Sequence, residues 1–244
     1  NRNPARSHEN ALDEYFKPTS GNKRRKTKSL RLFQRHHRVT QFSNRLFRKN
    51  KKLMQNQTFY SNGKLLLTGE YVVLDGAKAL AVPTRFGQNL IVKKGNNQQI
   101  NWISFDSDES IWFQDSITFS DIKNKYLSEN NHSVKNTLIE ILHQAFIQNP
   151  HFLNEEGYEI ETHLTFPRIW GLGTSSTLIN NIGQWLQIDA FELLSKSFGG
   201  SGYDVACAQT NSPIIYQLEN EVPHFKTVHF NPKFKENIHF VYLN

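Results

Sequence analysis

The chain has 244 residues and a formal net charge of +7, a length that suits one large or two small domains with a real core. Its single cysteine, Cys207, excludes a disulfide framework within the chain and fits a reducing compartment. No apolar stretch approaches the ~18 residues of a membrane-spanning helix, so the expected setting is cytoplasmic.

The charge is unevenly spread. Residues 1–53 hold 16 Lys and Arg against 3 Asp and Glu, which leaves 13 against 19 of the chain's 29 and 22 for the remainder. This segment has few apolar residues and no sustained amphipathic period, and its like charges repel, so it is expected to be a disordered basic extension. Met54, the only methionine, stands where the composition changes; the expectation is that the native protein starts there and that residues 1–53 are not native. The competing reading is a basic arm for nucleic acid or nuclear targeting around Lys23-Arg24-Arg25-Lys26, carried by a non-catalytic scaffold. A transit peptide is a third reading. The acidic balance after Met54 argues against nucleic acid as a partner.

From Met54 onward strand and helix patterns alternate. Thr58 to Tyr60, Lys64 to Thr68, Tyr71 to Leu74 and Ala79 to Val82 are short apolar or aromatic runs separated by Asn62-Gly63, Gly69 and Asp75-Gly76. They predict strands joined by tight turns. Gln88 to Lys93, Ile100 to Phe105 and Ile111 to Phe119 continue a mainly antiparallel sheet. His132 to Gln148 places Val134, Leu138, Ile141, Leu142, Ala145 and Phe146 on one helical face, with Ser133 as N-cap. Tyr158 to Phe166 alternates again and predicts a strand.

That strand leads into Pro167-Arg168-Ile169-Trp170-Gly171-Leu172-Gly173-Thr174-Ser175-Ser176, after which Leu178, Ile179, Ile182, Trp185 and Leu186 mark a helix. A strand, a glycine turn bearing three hydroxyls and a helix N-terminus suit an anion. Glycines let the backbone approach phosphate oxygens, unpaired first-turn amides point at them, and the helix dipole adds positive potential. The same pattern alone also begins ordinary helices. It is neither a P-loop nor a dinucleotide fingerprint, because the required lysine and third glycine are missing.

Two further segments bear on it. Gly63-Lys64-Leu65-Leu66-Leu67-Thr68-Gly69-Glu70-Tyr71 opens an apolar strand with one lysine and follows a glycine turn with one glutamate; a solvated edge lysine is the plain alternative. Gly199-Gly200-Ser201-Gly202-Tyr203-Asp204-Val205-Ala206-Cys207-Ala208 sets Asp204 between a glycine loop and an apolar helix, where it could simply cap that helix. Cys207, in an apolar run, reads as a buried core thiol.

Together these three motifs, in this order, resemble the GHMP kinase superfamily over about residues 57 to 244, and the Gly-Tyr-Asp-Val-Ala segment is most similar to the mevalonate and phosphomevalonate kinases. The resemblance implies an α+β fold of the ribosomal protein S5 domain 2-like type, with 54–244 an ATP-binding N-terminal domain and most of the C-terminal domain absent. It implies an enzyme that transfers the ATP γ-phosphoryl group to mevalonate or phosphomevalonate in isoprenoid-precursor synthesis. Sister readings are another acceptor, such as homoserine or a sugar, or a diphosphomevalonate decarboxylase.

By the same resemblance, Asp204 accepts or orients the acceptor proton and Lys64 stabilises developing charge. Gly171, Leu172, Gly173, Thr174, Ser175 and Ser176 hold the triphosphate, with Ser175 and Glu192 on Mg²⁺. Glu70, Tyr71, Ser201 and Gly202 contact a small-molecule acceptor. Thr174 stands where the family has serine, and Thr177 where it has alanine, which would crowd the helix start. Ile238 to Leu243 reads as a final apolar, strand-like run.

Overall fold

The computed structural model describes residues 56–129 and 133–242, all within the compact unit Met54–Asn244. The basic extension 1–53, His132 and Leu243 lie outside the described residues.

Among those residues the chain forms a seven-stranded sheet of order β4-β3-β5-β2-β6-β7, with β1 paired to β2 off that path. The strands are β1 (Gln57–Thr68), β2 (Ala79–Lys94), β3 (Gln99–Phe105), β4 (Ile111–Thr118), β5 (Tyr158–Leu164), β6 (Ile214–Glu219) and β7 (Val222–Thr227). The helices are α1 (Phe119–Asn124), α2 (Val134–Gln148), α3 (Thr174–Leu186), α4 (Ala190–Ser197) and α5 (Tyr203–Ala208). The fold is α+β, and all strand pairs are antiparallel except β3 with β5.

The long β2 is the spine of the sheet. One of its edges carries β1 along most of its length; the other carries β5 opposite Gln88–Lys94 and β6 opposite Ala79–Ala81. The inward side chains of β3 and β5, among them Ile100, Trp102, Tyr158 and Ile160, meet Leu138, Ile141, Leu142 and Ala145 of α2 and Ile179, Ile182 and Leu186 of α3 in one buried core. Each such large apolar side chain contributes about 1.5–3 kcal/mol over its exposed state. A second cluster, with Val73, Ala79, Ala81, Ala206, Cys207, Ile214 and Tyr216, lies under α5 and β6.

Several expectations are corrected by pairing that sequence alone does not display. Asn62-Gly63 is not a turn: β1 runs through it with a bulge between Asn62 and Lys64. Ala79–Val82 and Gln88–Lys93 are likewise one strand, which passes through Pro83. Tyr71–Leu74 is not a strand. Gly69 and Tyr71 both have positive φ, and the chain tightens into a 3-10 turn, Val72–Asp75, that buries only Val73. The strand placed over Ile111 to Phe119 stops at Thr118, which instead caps α1: its hydroxyl accepts from the Asp121 amide at 3.0 Å, while the Asp121 carboxylate accepts from the Thr118 amide at 3.1 Å. Residues 238–242 form no strand. Ser133 caps α2, as its sequence position predicts.

Candidate active site

The loop before α3 is clamped from both sides. Leu172 is buried with Leu164 and Phe166, while its carbonyl accepts the Lys64 amide at 2.9 Å. The bulge between Asn62 and Lys64 turns the Lys64 amide out of the ladder and toward Leu172. Gly173 follows with φ 96°, ψ 48°, a left-handed conformation that costs other residues about 1–2 kcal/mol. A Cβ there would sit 2.6 Å from Ser176 Oγ and 3.2 Å from Lys64 Cγ. The Lys64 side chain therefore runs directly past Gly173.

Helix α3 begins at Thr174, four residues before the first residue of the apolar periodicity, Leu178. Its first intrahelical amide is that of Thr177, which donates to Gly173 O at 3.0 Å, so the amides of Thr174, Ser175 and Ser176 have no carbonyl of their own helix. The hydroxyls divide into two pairs. Ser176 Oγ donates to Gly173 O at 3.0 Å, and Thr177 Oγ1, fully buried, lies 3.1 Å from Gln88 Oε1 and 3.0 Å from Gly173 O. These two are spent on holding the loop. Ser175 is exposed and Thr174 half-buried, and both face a cavity lined by Trp102, Trp112, Leu138, Ile141 and Leu178. Thr177 thus does not crowd the helix start; it pins it to Gln88.

Beneath the loop a buried polar seam fixes α3 on the sheet. Asn181 donates to Gln88 O at 2.9 Å and accepts from Ser61 Oγ at 2.8 Å, while Asn180 donates to Ser61 Oγ at 2.8 Å. Ser61, Gln88, Thr177, Asn180 and Asn181 are all at most 3% exposed. Sequence reading passed over these residues, although two adjacent asparagines inside an apolar helix were a visible anomaly.

The second wall is the glycine loop before α5. Gly202, φ 85°, caps α5 in a conformation where a Cβ would come 3.1 Å from Phe191. The buried Tyr216 phenol donates to Ser201 O and fixes this loop from β6, a strand the sequence reading did not place. Asp204 and Tyr203 then open α5, both half-buried.

Lys64 meets this wall. Its Nζ lies 5.4 Å from the Tyr203 ring centroid. Burial alone would lower its pKa, but Tyr203, Asp204 and Glu70 outweigh burial and hold it above the ordinary lysine value. The Tyr203 phenol is itself pushed up, mainly by burial, against the opposing pull of Lys64. At neutral pH the site therefore holds an ammonium beside a protonated phenol, with the Asp204 and Glu70 carboxylates nearby. Burial, then Asp204, pushes the Cys207 thiol up to about 12, against a small opposing effect of Lys64; it is an inert core group, as its surroundings predict.

The structure thus brings Lys64, Gly173, Asp204 and Glu70 to one place. Tyr71, next to Glu70, is 79% exposed. Glu192, in the first turn of α4, is exposed and lines a different cavity with Ser201 and Gly202; that cavity shares no lining residue with the one holding Thr174 and Ser175. Of the expected Mg²⁺ pair, Ser175 stands in the first turn of α3 and Glu192 in the first turn of α4. Among the described residues no three His, Cys, Asp or Glu side chains group as a metal site, and no helix is long and apolar enough to cross a membrane.

No family model and no curated protein sequence matches this chain. Solved structures do. The fold matches a mevalonate kinase of Methanococcus jannaschii with TM-score 0.52 at 16% identity, over 75% of this chain and 58% of that one. It matches a D-glycero-D-manno-heptose 1-phosphate kinase of Bacteroides thetaiotaomicron with TM-score 0.52 at 17% identity, over 72% and 61%. A further mevalonate kinase gives 0.50 at 17%, over 71% and 56%. The chain spans between 56% and 61% of the length of these three structures, and over that span it shares their fold.

Proposed function

We propose that this chain carries the nucleotide-binding part of an ATP-dependent small-molecule kinase. The observation that carries this is the path of Lys64: anchored by its amide to the phosphate loop, it runs past Gly173 and reaches the Tyr203–Asp204 wall. Phosphoryl transfer asks a protein chiefly for positioning and charge neutralisation, and this arrangement supplies both.

In this reading the amides of Gly173 to Ser176 hold the β- and γ-phosphates, and the cavity with Trp102 and Trp112 takes the base. Asp204 receives the proton of the acceptor hydroxyl as its oxygen bonds to the γ-phosphorus. The bond from the γ-phosphorus to the bridging oxygen breaks, and ADP leaves with that electron pair. Lys64 neutralises charge on the equatorial oxygens. For a phosphate monoester acceptor, Asp204 holds the proton of the attacking P–OH in the same way. Ser175, with an exposed hydroxyl, suits a Mg²⁺ that would shield the phosphates when bound; Glu192, the second residue proposed for it, lines a separate cavity.

The Gly202-Tyr203-Asp204-Val205-Ala206 segment supports mevalonate or phosphomevalonate as acceptor. The equal fold likeness to a heptose 1-phosphate kinase favours a sugar as the second reading. ADP release measured with mevalonate, phosphomevalonate, homoserine and a panel of hexoses and heptoses separates them. Turnover on one acceptor class, abolished in Asp204→Ala, is the expected result; an Asp204→Ala enzyme at wild-type rate would show that the chemistry lies elsewhere.

A further inference from the structure

We propose that Tyr203 is a positioning residue that holds the tip of Lys64 between the phosphate loop and Asp204. The proposal rests on the kinase reading for its purpose, but its geometry stands independently.

Lys64 is constrained along its length by backbone: its amide binds Leu172 O at 2.9 Å, and its Cγ and Cε pack along Gly173. Its tip has no such anchor. Among the described residues no carboxylate oxygen lies within the 4.0 Å of an ion pair to Nζ, so Asp204 and Glu70 act on it only at longer range. The group that meets the ammonium is Tyr203, with its ring centroid 5.4 Å away and its hydroxyl within interaction range. A cation held against an aromatic ring keeps its direction without surrendering its charge to a carboxylate. Among the described residues neither Asp204 nor the ammonium has an ion-pair partner, so both charges remain available to reacting oxygens.

Tyr203 is itself braced. Its ring meets that of Tyr216 edge-on, with centroids 6.5 Å apart and planes at 70°, and Tyr216 in turn fixes the loop through Ser201 O. The titratable groups facing the Lys64 tip are Glu70 after β1, and Tyr203, Asp204 and Cys207 on α5. A tyrosine that merely filled space would be replaceable by leucine without consequence for Lys64.

The test is residue-specific acylation of the 244-residue chain by acetic anhydride at pH 9, with Lys64 read by mass spectrometry against exposed Lys78 as internal standard. Tyr203→Leu is expected to raise the Lys64-to-Lys78 labelling ratio about 2- to 30-fold, the range set by loss of a cation–π contact. Tyr203→Phe keeps the ring and is expected to give a smaller rise. An unchanged ratio in both variants overturns the proposal. If Tyr203→Leu fails to melt cooperatively, Tyr203→Phe decides by the same ratio. Turnover on the acceptor found above adds a second readout: kcat falls in Tyr203→Leu, KM for ATP holds, and Lys64→Met removes any further effect of Tyr203. Loss of kcat with an unchanged labelling ratio would also overturn it. A wild-type chain with no kinase activity would defeat the kinase reading and leave the labelling result to judge Tyr203.

Discussion

The two sides of the Lys64 tip are built on different principles. On the side of the loop before α3 the supporting groups are paired, Ser176 and Thr177 on Gly173 and Gln88, Asn181 on Gln88 and Ser61, Lys64 on Leu172, and they hold in place the first-turn amides that stay open. On the other side, the turn after β1 exposes Tyr71 at 79%, Val72 at 49% and Leu74 at 56%, and Tyr71 holds φ 63° without a glycine's freedom. The contrast separates a preorganised loop, proposed for the nucleotide, from an open surface at the place proposed for the acceptor. Preorganisation is what charge stabilisation requires, since dipoles already fixed need not reorient during reaction.

The comparison can be broken most severely at Asp204. Asp204→Ala is expected to lower turnover by about 10²–10⁴-fold, the size of a lost proton acceptor, with ATP affinity unchanged because the donor side is intact. Steady-state ADP release with a nucleotide titration checks both halves of that statement. Next in size is the buried seam. Asn181→Leu leaves Ser61 and the Gln88 carbonyl short of partners, and each orphaned group costs about 1–3 kcal/mol; urea denaturation is expected to show that loss. Gly173→Ala forces a side chain into a left-handed conformation for about 1–2 kcal/mol and into contact with Ser176 Oγ, so nucleotide affinity is expected to fall together with stability.

The smallest effects belong to the open side and to pH. Tyr71→Gly relieves a positive φ while deleting only an exposed ring, so thermal melting is expected to be unchanged or slightly raised. Lys64 has a raised folded-state pKa. Its contribution to stability is therefore complete below its unfolded value, near 10.5, and is lost as pH climbs through the higher folded value. Lys64→Met is expected to flatten the alkaline limb of the stability profile and leave the neutral region's shape unaltered.

What could be read from the sequence follows the range of the interactions. That the Gly173 loop, Lys64 and Asp204 would draw attention was legible because glycine, hydroxyl and charge occur there in unusual local combinations, and the fold brings the three near one another. The alternation of Tyr158 to Leu164 and the Ser133 cap were legible for the same reason. The Gly63 bulge was not, because Asn62-Gly63 has the composition of a turn and only pairing with Pro83 and Leu172 makes it a kink in one strand. The run Tyr71–Leu74 has strand composition, yet the left-handed Gly69 and Tyr71 before it curl the chain instead. Tyr216 lies in a strand whose place depends on three residue pairs with β2, so its hold on Ser201 was beyond local pattern. The direction of Tyr203 toward Lys64 likewise exists only once β1 and α5 are packed together.

The claim that the amides after Leu172 receive a nucleotide's phosphates can be tested directly by hydrogen exchange of the unmodified chain with and without Mg²⁺-ATP. The account predicts slowed exchange confined chiefly to Gly173, Thr174, Ser175 and Ser176, with residues 71–75 unaffected. Saturating Mg²⁺-ATP that leaves those four amides exchanging at their free rate would contradict it.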